Sequence, residues 1–528
     1  MEKTSHKYPI GIQDFGEVRR NNYVYVDKTA LMYQMTSEGK YYFLSRPRRF
    51  GKSLFLSTIK AFYEGRSELF KGLKVEKEME KANREWVAYP IMYLDLNTGD
   101  YNSKASLDEK FNTFLTKQEE LYGRNKTEKS FGPRFEGVIE RAAKKEGHRV
   151  VILVDEYDKP LLQSIGNKRR QDAFRNTLKA FYGALKSCDA YIQFAMLTGV
   201  TKFGKVSIFS DLNNLNDISM DTRYHDVCGI TETELKDTFH DGINQLAISE
   251  GLSVEDCLSQ LRLRYDGYHF FDGQQGIYNP FSLLKTFFAN KFGSYWFETG
   301  TPTHLVKLLQ LHDWNLDAMQ NAEVTSDTLN SIDSDVQNPI PVIYQSGYLT
   351  IKSYDKEFGE YRLGFPNKEV EEGFVKFLAP FYLTKQRGNN TFDIKNFVKD
   401  IRSGQPEQFC QRLKSLFADT PYELVKNLEN HYQNIVWVIF KLLGFYTQAE
   451  YHTSNGRIDL LVKTSDYIYV LEFKLDGTAE QALEQIKFKD YSLPFALDGR
   501  KVFLIGMNFS NKTRNIERWL IEENNCNI

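Results

Sequence analysis

An apolar run followed by a basic loop and the tripeptide Gly-Lys-Ser is the strongest constraint on how this chain folds. Residues 41–44 suit a β-strand, and residues 45–53 read Ser-Arg-Pro-Arg-Arg-Phe-Gly-Lys-Ser. A strand, a loop and a helix that begins at Lys-Ser form the layout of a phosphate-binding loop. The N–H groups at the start of such a helix point at phosphate oxygens, and the helix dipole favours negative charge there.

Each residue of the tripeptide has a chemical role in this interpretation. Gly51 lets the main chain approach a ligand closely, Lys52 reaches the β- and γ-phosphates, and Ser53 holds Mg²⁺ through its hydroxyl. Arg46 stands where the motif G-x-x-x-x-G-K-S has its first glycine, and Pro47 stiffens the loop. The predicted ATP-binding residues of this loop are Arg48, Arg49, Phe50, Gly51, Lys52, Ser53 and Leu54.

A second apolar run, residues 150–154, ends in two adjacent carboxylates. Such a run suits a strand buried on both faces, and ligands bind at the carboxyl ends of parallel strands. Asp155 is therefore predicted to bind Mg²⁺, usually through water, and Glu156 to orient and deprotonate the attacking water. The alternative is a buried strand that ends in a solvated acidic turn, and the upstream phosphate-loop pattern favours the ATP-site interpretation.

A third strand is predicted at residues 191–197, and polar residues follow it. Thr198, Thr201 or Lys202 is expected to sense the γ-phosphate, and the same residues equally suit an ordinary turn. We include Thr198 in the predicted nucleotide site.

Near the C-terminus, two strand-like runs flank a four-residue polar turn. The runs are Arg457–Lys463 and residues 468–474. If they form a hairpin, Lys463 faces Ile468 and Asp459 lies opposite Glu472, with about 5 Å between their Cβ atoms. Lys474 projects from the same face, two residues beyond Glu472.

Two carboxylates at that separation repel each other unless a cation lies between them, and Mg²⁺ or Mn²⁺ suits oxygen ligands. Asp459 and Glu472 are therefore predicted metal ligands and catalytic residues. Lys474 is predicted to orient or activate water for attack on a phosphodiester. The alternative is a solvated hairpin with a surface salt bridge.

The D…E-x-K spacing of Asp459, Glu472 and Lys474 resembles that of PD-(D/E)XK nucleases. The resemblance adds Gln485 on the following helix as a candidate catalytic residue. It also adds Glu429 or Gln433 on the preceding helix, where such nucleases often carry another acidic residue.

The N-terminal half resembles the prokaryotic AAA-ATPase-like family that often carries such a nuclease domain. The matching segments are residues 8–15, 25–29, 46–53, 154–160 and 197–200. Arg46 in place of glycine fits that family's pattern. The resemblance implies a P-loop ATPase with a nuclease-like tail.

Strand–helix alternation up to residue 210 predicts an α/β fold with a P-loop NTPase parallel sheet covered on both faces. Four domains are expected: the ATPase domain at 1–210, a helical lid at 211–290, a mixed α+β region resembling a winged helix at 291–410, and an α/β restriction-endonuclease-like domain at 411–528.

Composition narrows the class of protein further. The chain has 528 residues, and 41% of them are hydrophobic. Its formal net charge is −2, which disfavours a strongly basic protein that binds DNA non-specifically. No apolar stretch approaches the ~20 residues that a membrane helix needs, and no signal peptide is evident. Five scattered cysteines indicate neither a zinc site nor disulfides. We expect a cytoplasmic protein without a membrane partner.

Two functions fit these patterns. In the first, ATP binding and hydrolysis regulate a metal-dependent nuclease acting on nucleic acid, with DNA the first candidate. A charge-stabilising arginine comes from the same chain or from a neighbouring subunit of a homo-oligomer, and the candidates are Arg48, Arg49, Arg169, Arg170 and Arg223. In the second, the chain is a nucleotide-dependent switch or scaffold whose tail binds without cutting.

Overall fold

The computed structural model divides into two compact units. The first comprises Met1–Leu308 and Ala322–Val370, and the second comprises Leu309–Asn321 and Glu371–Ile528. The residues described are 7–202, 208, 214–271, 275–297, 305, 309, 314–330, 338–383, 394–418, 428–454, 457–489, 491, 493–495 and 498–524, with the backbone alone at 428–432, 450–454, 457–459 and 524.

A five-stranded sheet forms the centre of the first unit. Its strand order is β2-β3-β4-β1-β5, and every neighbouring pair is parallel. The predicted parallel P-loop sheet is therefore confirmed. Its strands are β1 Tyr41–Ser45, β2 Ile91–Asp95, β3 Val150–Asp155, β4 Ile192–Gly199 and β5 Asn216–Asp217.

Helices surround this sheet because its central strands are apolar on both faces. Every residue of β3 is buried, and Phe181 stacks between Phe111 and Phe135 with ring centroids 4.3 and 4.4 Å apart. The helices up to residue 187 are Phe15–Arg20, Thr29–Glu38, Lys52–Tyr63, Lys74–Lys81, Lys104–Tyr122, Phe131–Glu146, Lys159–Gln163, Lys168–Tyr182 and Ala184–Ser187.

The segment after β5 is helical, as its sequence predicts. A capping box between Thr231 and Glu234 begins the first of these helices, and Phe239 and Phe287 stack in their shared core. The helices are Glu232–Thr238, His240–Glu250, Val254–Tyr265 and Pro280–Ala289. Short helices Ser326–Asn330 and Ile340–Gln345 then accompany an antiparallel sheet in the order β6-β8-β7, formed by β6 Glu323–Thr325, β7 Thr350–Asp355 and β8 Glu360–Gly364.

The second unit is built on a mixed five-stranded sheet of order β13-β12-β11-β10-β9, in which only β11 and β12 run parallel among the described strands. A mixed α/β domain was predicted here and is confirmed. The strands are β9 Gln448–Ser454, β10 Arg457–Lys463, β11 Tyr467–Leu475, β12 Lys501–Ser510 and β13 Asn515–Asn524. The helices are Leu316–Gln320, Lys368–Tyr382 (which begins in the first unit), Ile394–Arg402, Pro406–Ala418, Leu428–Gly444 and Ala479–Phe488.

No helix in the described parts of the chain is both long and apolar enough to cross a membrane.

Gly506 sets how closely the helix Ala479–Phe488 lies on the second sheet. Gly506 pairs with Glu472 across β12 and β11. A Cβ at position 506 would lie 2.4 Å from the carbonyl oxygen of Ala479 and 2.6 Å from the amide nitrogen of Leu483. Because both are backbone atoms, the helix rather than a side chain would have to move.

We therefore expect Gly506→Ala to destabilise the second unit by roughly 1–3 kcal/mol, the usual range for an overpacked core. Thermal unfolding followed by circular dichroism measures the effect. Gly444→Ala is the matched control, since a Cβ there would meet Ala449 no closer than 3.8 Å. Equal melting temperatures for the two variants would contradict this account of the packing.

Candidate nucleotide and nuclease sites

The predicted phosphate-binding loop joins β1 to the helix Lys52–Tyr63. Arg49 and Gly51 adopt left-handed conformations, with φ of 69° and 96°, and no described side chain caps the start of the helix. Among the residues that the structure describes, none would come within 4 Å of a Cβ on Gly51. The first turn of the helix therefore presents uncapped N–H groups beside an open space, as a phosphate site requires.

Lys52 lies under this loop with 5% of its surface exposed. Its Nζ donates to the carbonyl oxygens of Arg46 and Pro47, at 3.0 and 3.1 Å. These are contacts that a phosphate group can replace, because the ammonium then exchanges a neutral acceptor for an anionic one.

Arg46 has a structural role that the sequence does not reveal. The residue is 1% exposed, and its guanidinium donates to the carbonyl oxygens of Ser219 at 2.7 Å and Tyr224 at 3.2 Å. It also lies over the Phe270 ring, 4.0 Å from the centroid. Burial lowers the pKa of Arg46 to about 10. The arginine thus holds the loop to the segment after β5, where a glycine would make no side-chain contact.

Asp155 joins the two nucleotide motifs. This carboxylate is 3% exposed, and it accepts hydrogen bonds from Ser53 Oγ at 2.5 Å and Thr198 Oγ1 at 2.7 Å. The structure therefore brings together three of the predicted residues, from β3, β4 and the P-loop helix. Their hydroxyl and carboxylate oxygens are the donor set that Mg²⁺ prefers.

Glu156 follows directly and has a left-handed backbone, with φ of 52°. Burial raises the pKa of its carboxyl group, and the positive charge of Lys52 opposes that shift. Lys159 Nζ lies 3.9 Å from its Oε2. A carboxylate with a raised pKa beside a phosphate loop suits a general base.

Asp158 was not identified from the sequence, although the structure gives it a clear task. Its buried carboxylate accepts from the N–H groups of Val200 and Thr201 and from the Thr201 hydroxyl. Gly199 allows this approach, since a Cβ there would lie 2.6 Å from Asp158 Oδ1. Asp158, three residues beyond the end of β3, therefore fixes the turn after β4.

The three sensor candidates all have protein partners. Thr198 bonds Asp155 and Thr201 bonds Asp158, while Lys202 Nζ lies 2.9 Å from Asp217 Oδ2. Thr198 is the candidate in direct contact with the predicted Mg²⁺ ligand. The sensor role itself stays a prediction.

The arginine candidates also differ in their surroundings. Arg170 donates to the carbonyl oxygens of Asn102 and Gln163, Arg223 pairs with Asp221 at 2.7 Å, and Arg169 is exposed. Arg49 lies over the Phe281 ring, 5.0 Å from its centroid. The identity of a charge-stabilising arginine stays open.

An apolar cleft lies beside Gly51. At its edge, Lys28 Nζ pairs with Glu234 at 2.6 Å. The sequence segments 8–15 and 25–29 supply part of the wall. Their motifs were therefore a signal for this cleft, although the sequence alone assigns these segments no role. Its lining includes Pro9, Tyr25, Lys28, Leu54, Cys228 and Leu284.

In the second unit, β10 and β11 form the predicted hairpin. Lys463 pairs with Ile468 and Asp459 with Glu472, in the predicted register. The side chain of Asp459 lies outside the described part of the structure, as does that of Glu429. The register places Asp459 next to Glu472 on adjacent strands.

Glu472, Lys474 and Gln485 lie together at one end of this hairpin. Glu472 is fully buried, Lys474 Nζ lies 3.3 Å from its Oε1, and Lys474 also bonds Gln485 Oε1. Gln485 Nε2 is buried, with no hydrogen-bond partner among the side chains the structure describes. Gln433, the other candidate from the preceding helix, accepts a hydrogen bond from Asn315 instead.

Within the described side chains, no group of three or more His, Cys, Asp or Glu residues forms a metal cluster. The backbone register sets Asp459 opposite Glu472, so a divalent-cation site on this hairpin stays a prediction. Oxygen donors of this kind suit Mg²⁺ or Mn²⁺.

Comparisons with known proteins match both predicted domains. Residues 9–209 match the family model described as predicted AAA-ATPase, and residues 427–519 match the PD-(D/E)XK nuclease superfamily. An uncharacterized protein encoded in the vnfD 5' region of Azotobacter chroococcum mcd 1 is 35% identical over 527 residues, covering 98% of this chain and 99% of that protein. The architecture inferred from the motifs is thereby confirmed.

The role assigned to Arg46 is testable by substitution. We expect Arg46→Met to lower the free energy of unfolding by about 1–3 kcal/mol, because the buried Ser219 carbonyl would lose its donor. Thermal unfolding measures this. Arg223→Met is the control, since that guanidinium is half exposed. A melting temperature equal to that of the control would show that the Arg46 contacts add nothing.

Proposed function

This chain belongs to the family of predicted AAA-ATPases that carry a PD-(D/E)XK nuclease superfamily domain, and we propose that it hydrolyses ATP to regulate metal-dependent cleavage of nucleic acid. The observation that carries the ATPase half is the contact of Ser53 with Asp155, which joins the phosphate loop to the acidic strand end. The contact of Glu472 with Lys474 carries the nuclease half.

ATP would bind with its phosphates at the first turn of the helix Lys52–Tyr63 and its base in the apolar cleft beside Gly51. Lys52 would exchange the loop carbonyls for the β- and γ-phosphates. Ser53 and Asp155 would hold Mg²⁺, Asp155 through water.

Bound Mg²⁺ supplies positive charge to phosphate oxygens in the ATP site and at the scissile phosphodiester. Glu156 would take a proton from the attacking water in the first site, and its burial keeps it basic enough to do so. In the second site Asp459 and Glu472 would hold the cation while Lys474 orients water. Gln485 would keep the Lys474 ammonium in place through their hydrogen bond.

ATP binding would close the helical segment 211–290 over the nucleotide, and hydrolysis would release it, so that the nucleotide state controls the nuclease. A nucleotide-dependent scaffold is the second candidate, favoured by the net charge of −2. In that case the tail binds nucleic acid or a partner without cutting it.

Glu156→Gln should bind ATP with near-normal affinity and hydrolyse it ~10²–10⁴-fold more slowly, because the amide keeps the shape but cannot accept the proton. Lys52→Ala should instead lose ATP binding sharply. Isothermal titration calorimetry measures ATP binding and phosphate release measures hydrolysis, so together they separate the two effects. Glu146→Gln is the control for loss of a carboxylate. Wild-type turnover by Glu156→Gln would place the base elsewhere.

The same residue predicts a pH dependence. Because its pKa is raised, Glu156 should become protonated at a higher pH than an ordinary carboxylate. As the pH is lowered, the rate of ATP hydrolysis should therefore begin to fall at a higher pH than it would with an ordinary carboxylate as the base.

Asp459→Asn and Glu472→Gln should weaken Mn²⁺ binding and abolish cleavage together, whereas Lys474→Ala should reduce cleavage more than metal binding. Cleavage is measured on plasmid, linear DNA and RNA in the presence of Mg²⁺ or Mn²⁺, with and without ATP. Glu484→Gln, an exposed change on the helix that carries Gln485, is the control. Metal binding without cleavage of any substrate by the wild-type protein would favour the scaffold.

A further inference from the structure

The phosphate-binding loop has a hydrogen-bond partner far along the chain. The indole Nε1 of Trp296 donates to the carbonyl oxygen of Arg48 at 3.1 Å. Trp296 is 6% exposed, and its ring packs against Tyr348 with centroids 5.1 Å apart. The donor therefore reaches the loop from a buried position.

Glu369 holds Trp296 in that position. One oxygen of its carboxylate accepts from the backbone N–H groups of Tyr295 and Trp296, at 2.6 and 2.9 Å, and the other accepts from Ser282 Oγ at 2.7 Å. Glu369 is 2% exposed. Three donors on one buried carboxylate fix the backbone from which the indole extends.

A second contact supports the same side of the loop. Gly347 approaches Pro47 so closely that a Cβ at position 347 would lie 2.6 Å from Pro47 Cβ. The loop thus contacts residues 296 and 347, both of which lie beyond the matched ATPase region 9–209.

The indole acts on a strained part of the loop. Arg49 has a φ of 69°, a left-handed conformation that costs a residue with a side chain about 1 kcal/mol or more. In a planar trans peptide the N–H of Arg49 points away from the Arg48 carbonyl. A donor that fixes this carbonyl therefore also fixes the direction of the Arg49 N–H.

We infer that Trp296 and Glu369 are positioning residues of the nucleotide site: Trp296 sets the orientation of the Arg48–Arg49 peptide, and Glu369 sets Trp296. This inference rests on the proposed function for the identity of the ligand, ATP.

Trp296→Phe removes the indole N–H and keeps an aromatic ring. We expect faster amide hydrogen exchange in residues 46–53 of the nucleotide-free protein and an ATP affinity about two- to tenfold weaker, the loss of one hydrogen bond. Trp86→Phe is the matched control, because Trp86 packs against Phe62 and Phe70 instead. Exchange and affinity equal to those of the control would overturn the inference.

Glu369→Gln tests the second residue through pH. Burial raises the pKa of Glu369 to about 7. The described groups that face it are Arg264, Tyr265 and Tyr268, and burial raises the pKa of both tyrosines, that of Tyr265 to about 12. Glu369, rather than either tyrosine, is thus the group that changes charge near neutrality.

The ionised carboxylate is the stronger acceptor, so it should hold the loop more firmly above pH 7. We expect wild-type protein to bind ATP more tightly than Glu369→Gln at pH 8 and equally at pH 6. The comparison between the two proteins cancels the titration of ATP itself. An affinity ratio that stays constant with pH would overturn the role of Glu369.

The two hypotheses fail separately. If wild-type protein binds no ATP, the proposed function fails, and hydrogen exchange of residues 46–53 in Trp296→Phe still decides whether the indole positions the loop.

Discussion

The hydrogen bonds made by the buried carboxylate of Asp155 are the interaction on which the arrangement of the predicted nucleotide site depends. Hydroxyl groups of Ser53 and Thr198 donate to its two oxygens, so three separate segments converge on one charge. A buried charge is costly unless it is hydrogen-bonded. The segments therefore have to meet in this arrangement, and these oxygens lie where the phosphate loop leads into the helix Lys52–Tyr63.

The hairpin of the second unit uses a related arrangement. Glu472 is fully buried, and its charge is compensated by Lys474 on the same strand. The helix Ala479–Phe488 packs closely against Gly506, and this brings Gln485 into contact with that lysine. In both units a buried carboxylate on an interior strand of the sheet contacts a neighbouring polar side chain.

The sequence predicts those features that short-range rules determine. A four-residue turn fixes the pairing of Asp459 with Glu472, because each step along a hairpin advances both strands by one residue. The alternation of apolar runs and helices fixes the parallel sheet. Asp158, Trp296 and Glu369 were not found, because their partners lie 42 or more residues away and belong to no local pattern. Packing, rather than spacing, brings these residues to their sites.

Arg46 has a consequence for how such loops diverge between related proteins. Its hydrogen-bond partners are main-chain carbonyls at positions 45, 219, 224 and 225, which exist whatever amino acid occupies those positions. The arginine can therefore persist while the residues it contacts change freely, and paired substitutions would not disclose the contact. A sequence motif that requires glycine at this position would miss every protein that has an arginine there instead.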